Sequence, residues 1–353
     1  NYSRQTLFWK SQNLEAVINS GVLEVEQLPP PVLLAEDRWA LNMAIQVVSL
    51  AREYGILSFV ESNPGCDAET IAVSTGLSGR HIRAGMEVLR SIGVVESLGE
   101  GYIITPQARI YLLRDSPFSV AFPYEINSRM LECFRGGSSP RSVTAWARGK
   151  SQDASEWAME MHRQSFPLGF ALHATGVLGD SKNILDVAGG AGSVCIALAL
   201  KDQSRKLSMI ELPGSIPFAR KMISRYGLSE RVRCLGMDMF AQDWPNGFDA
   251  VLFTNVFHDW DEDRCRILAR KAHTCLRAGG IAIVLESLLH DDAPGPLWTA
   301  CRSVEMAMEM LGRQFRRRDL ETILSSVGFS NVEVHSLTGY YSVIVAARCT
   351  GED

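Results

Sequence analysis

Five side chains that can bind a ligand or move a proton stand at or just after short apolar runs in the second half of the chain. They are Asp186, Glu211, Asp238, His258 and Glu286. A carboxylate accepts hydrogen bonds from ammonium, hydroxyl or amino groups, and a neutral histidine can take up a proton near neutral pH. Because the carboxyl ends of parallel strands meet at one sheet edge, we expect these side chains to share one site.

Asp186 closes an apolar strand predicted over 184–187 and stands just before a glycine turn. The glycines of this turn are Gly189, Gly190 and Gly192. An apolar helix is predicted to begin at 194–200, so the segment is typical of the nucleotide-binding half of a βαβ unit. Glycine lets the backbone take conformations closed to other residues, so a ligand can lie against bare main chain.

The turn differs from the dinucleotide-binding pattern, because Ala188 and Ala191 interrupt its glycines. An acid just before the turn would repel a pyrophosphate but suits a nucleoside with a cationic amino-acid tail, which points to S-adenosylmethionine. Glu211 follows Asp186 by about 25 residues, close to the spacing expected of an acid that holds a ribose. A structural turn in another Rossmann-like protein is the alternative.

The segment Asp238-Met239-Phe240 follows the third strand predicted for the sheet. We expect Asp238 to accept a hydrogen bond from the adenine amino group and Met239 to pack on the ring face. A simple surface turn is the alternative interpretation.

His258 and Asp259 follow the fourth predicted strand, and Glu286 ends the fifth. A histidine at the ligand edge is placed to take a proton from a bound hydroxyl. Glu286 would be costly to bury without a partner, and the imidazole of His258 is the natural one, which Glu286 would orient and keep basic. A base within reach and aligned reactants would suffice without a metal. A purely structural histidine is the alternative.

The other histidines show no HxxxH or HxH spacing, and the acids do not cluster as in a magnesium site, so we expect no metal. The run Arg313–Arg318 could bind a phosphate or an acidic substrate. We instead expect it to be the solvated start of a helix over 319–327.

The 353 residues are enough for two domains, and 46% hydrophobic with 21% charged residues is ordinary for a globular protein. The net charge of −5 favours neither nucleic acid nor an anionic membrane as a partner. No apolar run approaches the roughly 20 residues of a membrane helix. The eight cysteines form no CxxC pair, and Cys195, Cys265 and Cys275 fit core positions. We therefore expect a reduced, cytoplasmic protein.

The N-terminal part is predicted to be helical with one small hairpin. An amphipathic arm ends at 28–31 and is followed by a helix over 36–60. A second helix begins after the N-cap Asp67, and a third covers 79–92. A hairpin then pairs 93–96 with 102–105. This order describes a winged helix. If the winged helix binds DNA, its recognition helix is the one over 79–92, and the contacting residues would be Arg80, His81, Arg83 and Arg90. The acidic net charge favours instead a reused fold that pairs subunits and shapes a pocket.

Residues 106–180 are predicted to be helical with a joint at 136–140, and strands then alternate with helices. The predicted strands are 184–187, 207–211, 232–235, 250–253, 281–286, 332–335 and 341–346. This pattern predicts an α/β protein with a doubly wound sheet whose last strands are antiparallel at one edge.

From about residue 36 to 348 the chain resembles the class I S-adenosylmethionine-dependent O-methyltransferases of the caffeic acid and hydroxyindole type. The motifs that carry the resemblance are Leu185-Asp-Val-Ala-Gly-Gly-Ala-Gly192, Glu211-Leu-Pro213, Asp238-Met-Phe240, His258-Asp-Trp260 and Ala278-Gly-Gly-Ile-Ala-Ile-Val-Leu-Glu286. The resemblance implies a Rossmann-like methyltransferase sheet and an N-terminal all-α winged-helix dimerisation domain. It also implies a homodimer in which the partner's arm helps to close the pocket.

The same resemblance implies roles for single residues. His258 would accept the proton, with Glu286 and Asp259 beside it. The cofactor would contact Asp186, Gly189, Gly190, Gly192, Glu211, Leu212, Asp238, Met239, Phe240 and, at its methionine tail, Ser165. Met161, Asn255 and Met310 would contact an aromatic acceptor. Four departures from the family pattern are Ala188 for glycine, Glu211 for aspartate, Thr254 for lysine and Gln314 for a second glutamate beside the histidine.

The sequence therefore predicts a metal-independent, homodimeric methyltransferase that acts on a hydroxyl of a small aromatic secondary metabolite, with no nucleic acid or membrane partner. The predicted parts are an arm (1–35), the dimerisation domain (36–115), a helical pocket-forming linker (116–180) and the cofactor-binding catalytic domain (181–353). Two alternatives stay open. One is a family member that methylates a carboxyl, nitrogen or carbon centre, or performs hydroxylation or decarboxylation. The other is a winged-helix regulator that senses S-adenosylmethionine.

Overall fold

The computed structural model describes residues 33–119, 125–137 and 152–349. Most of the predicted arm and residues 138–140 of the predicted joint lie outside the described residues. Within the described part, no single helix is long and apolar enough to cross a membrane, and only the pair Arg38–Glu53 with Ile56–Ser62, bent by 63°, meets that test jointly.

The N-terminal part consists of four helices followed by a two-stranded antiparallel hairpin. These are α1 (Leu33–Glu53), α2 (Ile56–Ser62), α3 (Ala68–Thr75), α4 (Gly79–Ser91), β1 (Val95–Leu98) and β2 (Gly101–Ile104). The prediction of one helix over 36–60 is wrong, because Gly55 takes a φ of +73° and separates α1 from α2. The predicted cap of α3 is confirmed, since Thr70 donates its backbone N–H to Asp67 Oδ1 at 2.8 Å.

Three further helices lead to the second half, namely α5 (Pro106–Leu112), α6 (Ser128–Phe134) and α7 (Gln152–Thr175). The second half then alternates strands and helices. The strands are β3 (Asn183–Val187), β4 (Lys206–Glu211), β5 (Val232–Gly236), β6 (Phe248–Thr254), β7 (Leu276–Ser287), β8 (Phe329–Ser336) and β9 (Tyr341–Arg348). The helices are α8 (Ser193–Lys201), α9 (Ile216–Arg225), α10 (Glu262–Cys275), α11 (Leu297–Glu309) and α12 (Arg317–Ser325), with a 3₁₀ turn at Phe257–Asp259.

These strands form one seven-stranded sheet in the order β5-β4-β3-β6-β7-β9-β8. Strands β3 to β7 are parallel, and β9 pairs antiparallel with both β7 and β8. The predicted doubly wound sheet with an antiparallel edge is confirmed. Apolar clusters cover both faces, and the three cysteines predicted for the core are buried in them.

Helix α11 belongs to the second half by sequence but packs among the N-terminal helices. Ala300, Val304 and Ala307 of α11 lie in the same apolar core as residues of α1 and α4. Arg80 of α4 donates a hydrogen bond to the backbone oxygen of Met310, just after α11. Its neighbour His81 is buried. Both side chains therefore make contacts within the protein.

The arginine run lies in solvent only in part, since Arg317 and Arg318 are 54% and 58% exposed whereas Arg316 is 13% exposed. Helix α12 begins at Arg317, and the arginines before it are held in ion pairs. Arg313 binds Glu262 at 3.1 Å, and Arg316 binds Glu87 of α4 at 2.8 Å, a pair whose side chains are both 13% exposed. The run therefore ties the second half of the chain to the N-terminal helices.

Candidate active site

The register of the sheet brings the predicted site residues to one edge. Val187 is level with Ile210 of β4 and Phe253 of β6, and Phe253 is level with Val284 of β7. Glu211 and Glu286 lie at the carboxyl ends of β4 and β7, and the glycine turn and His258 follow β3 and β6. The expectation that these groups meet at the carboxyl edge agrees with the observed register.

Asp186 is buried beneath the glycine turn with one oxygen unpartnered. Its Oδ2 accepts a weak hydrogen bond from the Cys195 thiol, with Sγ at 3.6 Å, while Oδ1 has no partner. A Cβ on Gly189 would stand 2.9 Å from Asp186 Oδ2 and 3.2 Å from Met209 Cβ, so only glycine lets the turn pass this close to the carboxyl group. Ala188, the residue in place of the family glycine, takes a φ of +56°. Ala188 thus adopts a left-handed conformation that glycine adopts at lower cost.

Burial raises the pKa of Asp186 to about 7, and the nearby Glu211 carboxylate adds to the rise while the Cys195 hydrogen bond opposes it. A buried acid with a free oxygen is a suitable partner for a ligand ammonium, which would stabilise the ionised carboxylate.

Glu211 binds the backbone of the glycine turn directly. Its Oε2 accepts the N–H of Gly190 at 2.9 Å, and its Oε1 accepts the N–H of Leu212 at 2.8 Å. Each oxygen keeps a second lone pair, so the carboxylate can fix the turn and still accept a hydroxyl. Burial raises the pKa of Glu211, although these two backbone hydrogen bonds lower it in part.

The loop predicted to meet adenine is shaped by Asp238. Asp238 Oδ1 accepts the N–H of Phe240 at 2.8 Å, and the Trp244 indole donates to the backbone oxygen of Met239 at 3.0 Å. Phe240 packs edge-on against Trp260, with ring centroids 4.7 Å apart. The loop therefore reaches the turn that carries His258.

His258 and Glu286 form a buried pair, with side chains 5% and 1% exposed. His258 Nδ1 lies 2.7 Å from Glu286 Oε2, and the His258 backbone N–H donates to Glu286 Oε1 at 3.3 Å. Since the carboxylate accepts the proton on Nδ1, the neutral ring presents the lone pair of Nε2. Glu286 thereby fixes both the tautomer and the direction of the imidazole.

Asp259 is a second acid at the histidine, 3.5 Å from His258 Nε2 through Oδ1. Burial alone would lower the pKa of His258, but the Glu286 and Asp259 carboxylates raise it above its ordinary value. Burial raises the pKa of Asp259 to about 6. Two carboxylates, of Glu286 and Asp259, therefore lie beside the imidazole, although Gln314 stands where the family has a second glutamate.

Gln314 itself does not touch the imidazole. It accepts a hydrogen bond from Ser287 Oγ at 3.1 Å and donates its backbone N–H to Ser303 Oγ at 3.2 Å. The loop that carries it lies against the 3₁₀ turn at Gly312, where a Cβ would stand 2.1 Å from the backbone oxygen of His258. Only glycine permits this approach, which holds the turn in place.

The remaining predicted residues are Asn255, Met161, Ser165 and Met310. Asn255 takes a φ of +56°. Its Oδ1 and the Oγ1 of Thr254 are both buried without a hydrogen-bond partner. Met161 and Ser165 lie half-buried on α7, and Met310 follows α11.

Sequence reasoning missed a cluster beside the glycine turn. His162 Nδ1 lies 3.0 Å from Ser193 Oγ, the first residue of α8, and its Nε2 lies 3.3 Å from the Tyr226 hydroxyl. Burial lowers the pKa of His162 to about 4, so it is neutral. The contact couples α7 to the turn, and no local motif indicates it.

In the described ranges, no group of three or more histidine, cysteine, aspartate or glutamate side chains is placed to hold a metal ion.

The fold and this edge define an α/β methyltransferase architecture. A solved O-methyltransferase family 2 protein from Planctomyces limnophilus, in complex with apigenin, aligns with a TM-score of 0.78 at 20% identity, over 93% of this chain and 99% of that one. The likeness at this identity shows the fold.

The family model for the O-methyltransferase domain matches residues 147–330. The chain belongs to this family of S-adenosylmethionine-dependent methyltransferases, which are enzymes of class EC 2.1.1.

Two relatives illustrate its range. The 3-hydroxy-5-methyl-1-naphthoate 3-O-methyltransferase of Streptomyces sahachiroi is 32% identical over 43% of this chain, a match that spans 44% of that enzyme. The acetylserotonin O-methyltransferase of Mus musculus molossinus is 26% identical over 81% of this chain and 80% of that enzyme.

Proposed function

We propose that the protein transfers a methyl group from S-adenosylmethionine to a hydroxyl of a small aromatic metabolite, with His258 as the general base. The observation that carries the proposal is the buried pair of His258 Nδ1 and Glu286 Oε2 at 2.7 Å, at the same sheet edge as the glycine turn. Within the family, this arrangement favours oxygen as the acceptor, because an alcohol or phenol must lose a proton when it is methylated. The S. sahachiroi relative is named for methylation of such a hydroxyl.

The residues around the turn fit the cofactor. The free Oδ1 of Asp186 suits the ammonium of the amino-acid tail, and the open space at Gly190, where an added Cβ would meet no atom within 4 Å, suits a ligand on bare backbone. Glu211 would hold the ribose hydroxyls and Asp238 with Met239 the adenine, with Leu212 and Phe240 beside them and Ser165 near the tail. When bound, S-adenosylmethionine supplies an electrophilic methyl group.

The chain's own residues then bind, align and deprotonate the acceptor. Glu286 holds the imidazole so that Nε2 is the basic nitrogen, and Nε2 takes the proton from the acceptor hydroxyl. Asp259, with its oxygen 3.5 Å from Nε2, stabilises the imidazolium that results. Met161, Asn255 and Met310 would contact the acceptor, and the orphan Oδ1 of Asn255 would accept a hydrogen bond from it.

We further propose that the N-terminal helices pair two subunits and complete the pocket. Arg80 and His81 of α4 face α11. These two side chains are therefore not presented to solvent, as those of a DNA recognition helix would be. A gel shift with genomic fragments tests the regulator alternative, because specific, salt-resistant binding would contradict the enzymatic proposal.

The direct test is a screen of phenols and carboxylic acids with labelled S-adenosylmethionine, followed by determination of the methylated atom. Label on a phenolic oxygen supports the proposal. Label on a carboxyl, nitrogen or carbon atom, from a protein that binds S-adenosylhomocysteine normally, contradicts it.

Cofactor affinity is expected to fall about tenfold for each pH unit below about 7, because Asp186, whose pKa is raised to about 7, must lose its proton to meet the ammonium. Calorimetry with S-adenosylhomocysteine over a pH series measures this. Asp186→Asn should remove the slope, whereas Asp238→Asn should keep it. A wild-type affinity that does not change with pH would show that Asp186 does not meet the ammonium.

Glu286→Gln is expected to move the acidic limb of the pH profile of kcat/KM to lower pH. The base acts when neutral, so activity rises as pH passes the pKa of His258, and Glu286 raises that pKa. The maximal rate should also fall, since the ring loses its orienting partner. Glu333→Gln, beside His335 at 3.2 Å, is the matched control and should leave the profile unchanged. If the acidic limb of Glu286→Gln does not move, the pH profile does not report the titration of His258.

A further inference from the structure

Helix α11 presents a polar and aromatic stripe next to the proposed base. Trp298, Arg302 and Glu305 follow each other at spacings of four and three residues, which places them on one helix face. The opposite face, with Ala300, Val304 and others, is buried among the N-terminal helices. Trp298 also packs on Trp39 of α1, with ring centroids 6.4 Å apart, so within the described residues Arg302 and Glu305 are the partly exposed charged members of the stripe.

The stripe adjoins the carboxyl edge of the sheet. Trp298 stacks on Tyr340, with centroids 5.1 Å apart and planes within 5°, and lies 6.3 Å from the Tyr341 ring. Tyr341 is level with Ser287, the residue after Glu286. Arg302 acts electrostatically on both His258 and Asp259. The stripe therefore lies next to the base, beside the space in which the proposed function places the acceptor.

Arg302 and Glu305 form an ion pair there, with side chains 18% and 33% exposed. The Arg302 guanidinium also lies 5.8 Å from the centre of the Trp298 ring, a cation–π contact. An ion pair one helical turn apart on an exposed surface contributes little to stability. The pair of Arg302 and Glu305 is partly buried, beside aromatic rings and the 3₁₀ turn that carries His258. It can therefore offer one cation and one anion to a ligand.

Charge decides which ligand fits. With His258 neutral, as a base must be, the three acids Glu286, Asp259 and Glu305 outnumber the single cation Arg302, so these groups carry an excess of negative charge. A purely anionic acceptor would be repelled by this excess, and a purely cationic one would leave Arg302 without a carboxylate. An acceptor with both charges adds no net charge and complements both members of the pair.

We propose that the methyl acceptor is a zwitterionic phenol, a hydroxyphenyl amino acid, whose carboxylate binds Arg302 and whose ammonium binds Glu305. The inference rests on the proposed function, since the hydroxyl of the same molecule is the group deprotonated by His258. On binding, the ion pair between Arg302 and Glu305 is exchanged for two ion pairs with the ligand. Trp298 and Tyr341 flank the aromatic ring.

The test compares four phenols that differ only in the charges of their tail: tyrosine, its amine tyramine, its acid hydroxyphenylpropionate, and uncharged ethylphenol. Calorimetry on the full chain saturated with S-adenosylhomocysteine measures the affinity of each. Tyrosine is expected to bind at least about tenfold more tightly than any of the others, since each charged contact is worth about tenfold or more in affinity.

Variants assign the two charges. Arg302→Gln should weaken binding of tyrosine and of the acid but not of the amine, and Glu305→Gln should weaken binding of tyrosine and of the amine but not of the acid. Arg317→Gln removes an exposed helical ion pair with Glu321, at 2.6 Å, and should change none of the affinities. If Arg302→Gln does not fold, the wild-type series and Glu305→Gln still decide.

Three results would overturn the inference. They are equal or unmeasurable affinity for all four phenols, an acid or amine that binds as tightly as tyrosine, and variants that weaken all four alike. Methyl transfer is scored separately. Selective binding of tyrosine without transfer would support the recognition site and contradict the proposed function, whereas transfer to ethylphenol without preference for tyrosine would do the reverse.

Discussion

His258→Ala is expected to lower kcat by roughly two to four orders of magnitude, the contribution of a positioned general base. Glu286 holds the imidazole Nδ1 at 2.7 Å and accepts the backbone N–H of His258 at 3.3 Å, so Nε2 is fixed before the acceptor arrives. Without it, the acceptor must lose its proton to water while the methyl group is transferred. Initial rates with labelled S-adenosylmethionine, at saturating acceptor, measure the change.

The affinity for S-adenosylhomocysteine should stay near that of the wild type, because the imidazole bonds Glu286 rather than the glycine turn. His335→Ala, on an exposed histidine of β8, is the matched control and should keep full activity. Weakened cofactor binding with unchanged turnover in His258→Ala would show that the histidine belongs to the cofactor site and is no base.

Glu211→Ala is expected to reverse this pattern, with cofactor affinity lowered by roughly tenfold to a thousandfold. The change removes the acceptor for the ribose hydroxyls and also leaves the backbone N–H groups of Gly190 and Leu212 without their carboxylate. Loss of a charged hydrogen bond costs about 1.5–3 kcal/mol, and an unsatisfied buried donor costs about 1–3 kcal/mol. Calorimetry with S-adenosylhomocysteine measures the loss.

At saturating cofactor, Glu211→Ala should recover much of its turnover, since the base and acceptor site are intact. Glu230→Ala, an exposed acid between α9 and β5, should bind as the wild type does. Cofactor affinity preserved in Glu211→Ala would mean that the carboxylate serves only to shape the turn.

The sheet could be predicted because its signals are local. Apolar runs of strand length, each closed by an acid, a glycine turn or a histidine, indicate both the strand and its ligand end. The observed strands extend the predicted ones by a few residues, and their register places Asp186 and Glu286 at the same edge. The limits of the helices are less local: the apolar pattern runs through Gly55, and only the fold shows that the chain turns there.

The parts that could not be predicted depend on contacts between distant segments. Arg316 pairs with Glu87, 229 residues away, so a run of arginines that resembles a solvated helix start is held at the joint of two parts of the molecule. The approach of Gly312 to the His258 backbone is equally invisible in the sequence, because glycine has many reasons to occur in a loop. The role of Asp259 beside His258 is implied by the resemblance to the family, whereas its distance of 3.5 Å from Nε2 depends on the fold.

The packing of α11 among the N-terminal helices limits how this enzyme can be recombined with its relatives. A chimera whose crossover lies between residues 116 and 180 would join α4 of one parent to α11 of another, and their interlocking side chains would have been selected separately. Exchange of the first 115 residues together with 297–316 would keep that partnership whole. A chimera intended to transfer acceptor preference must therefore exchange both segments together, although they are far apart in the gene.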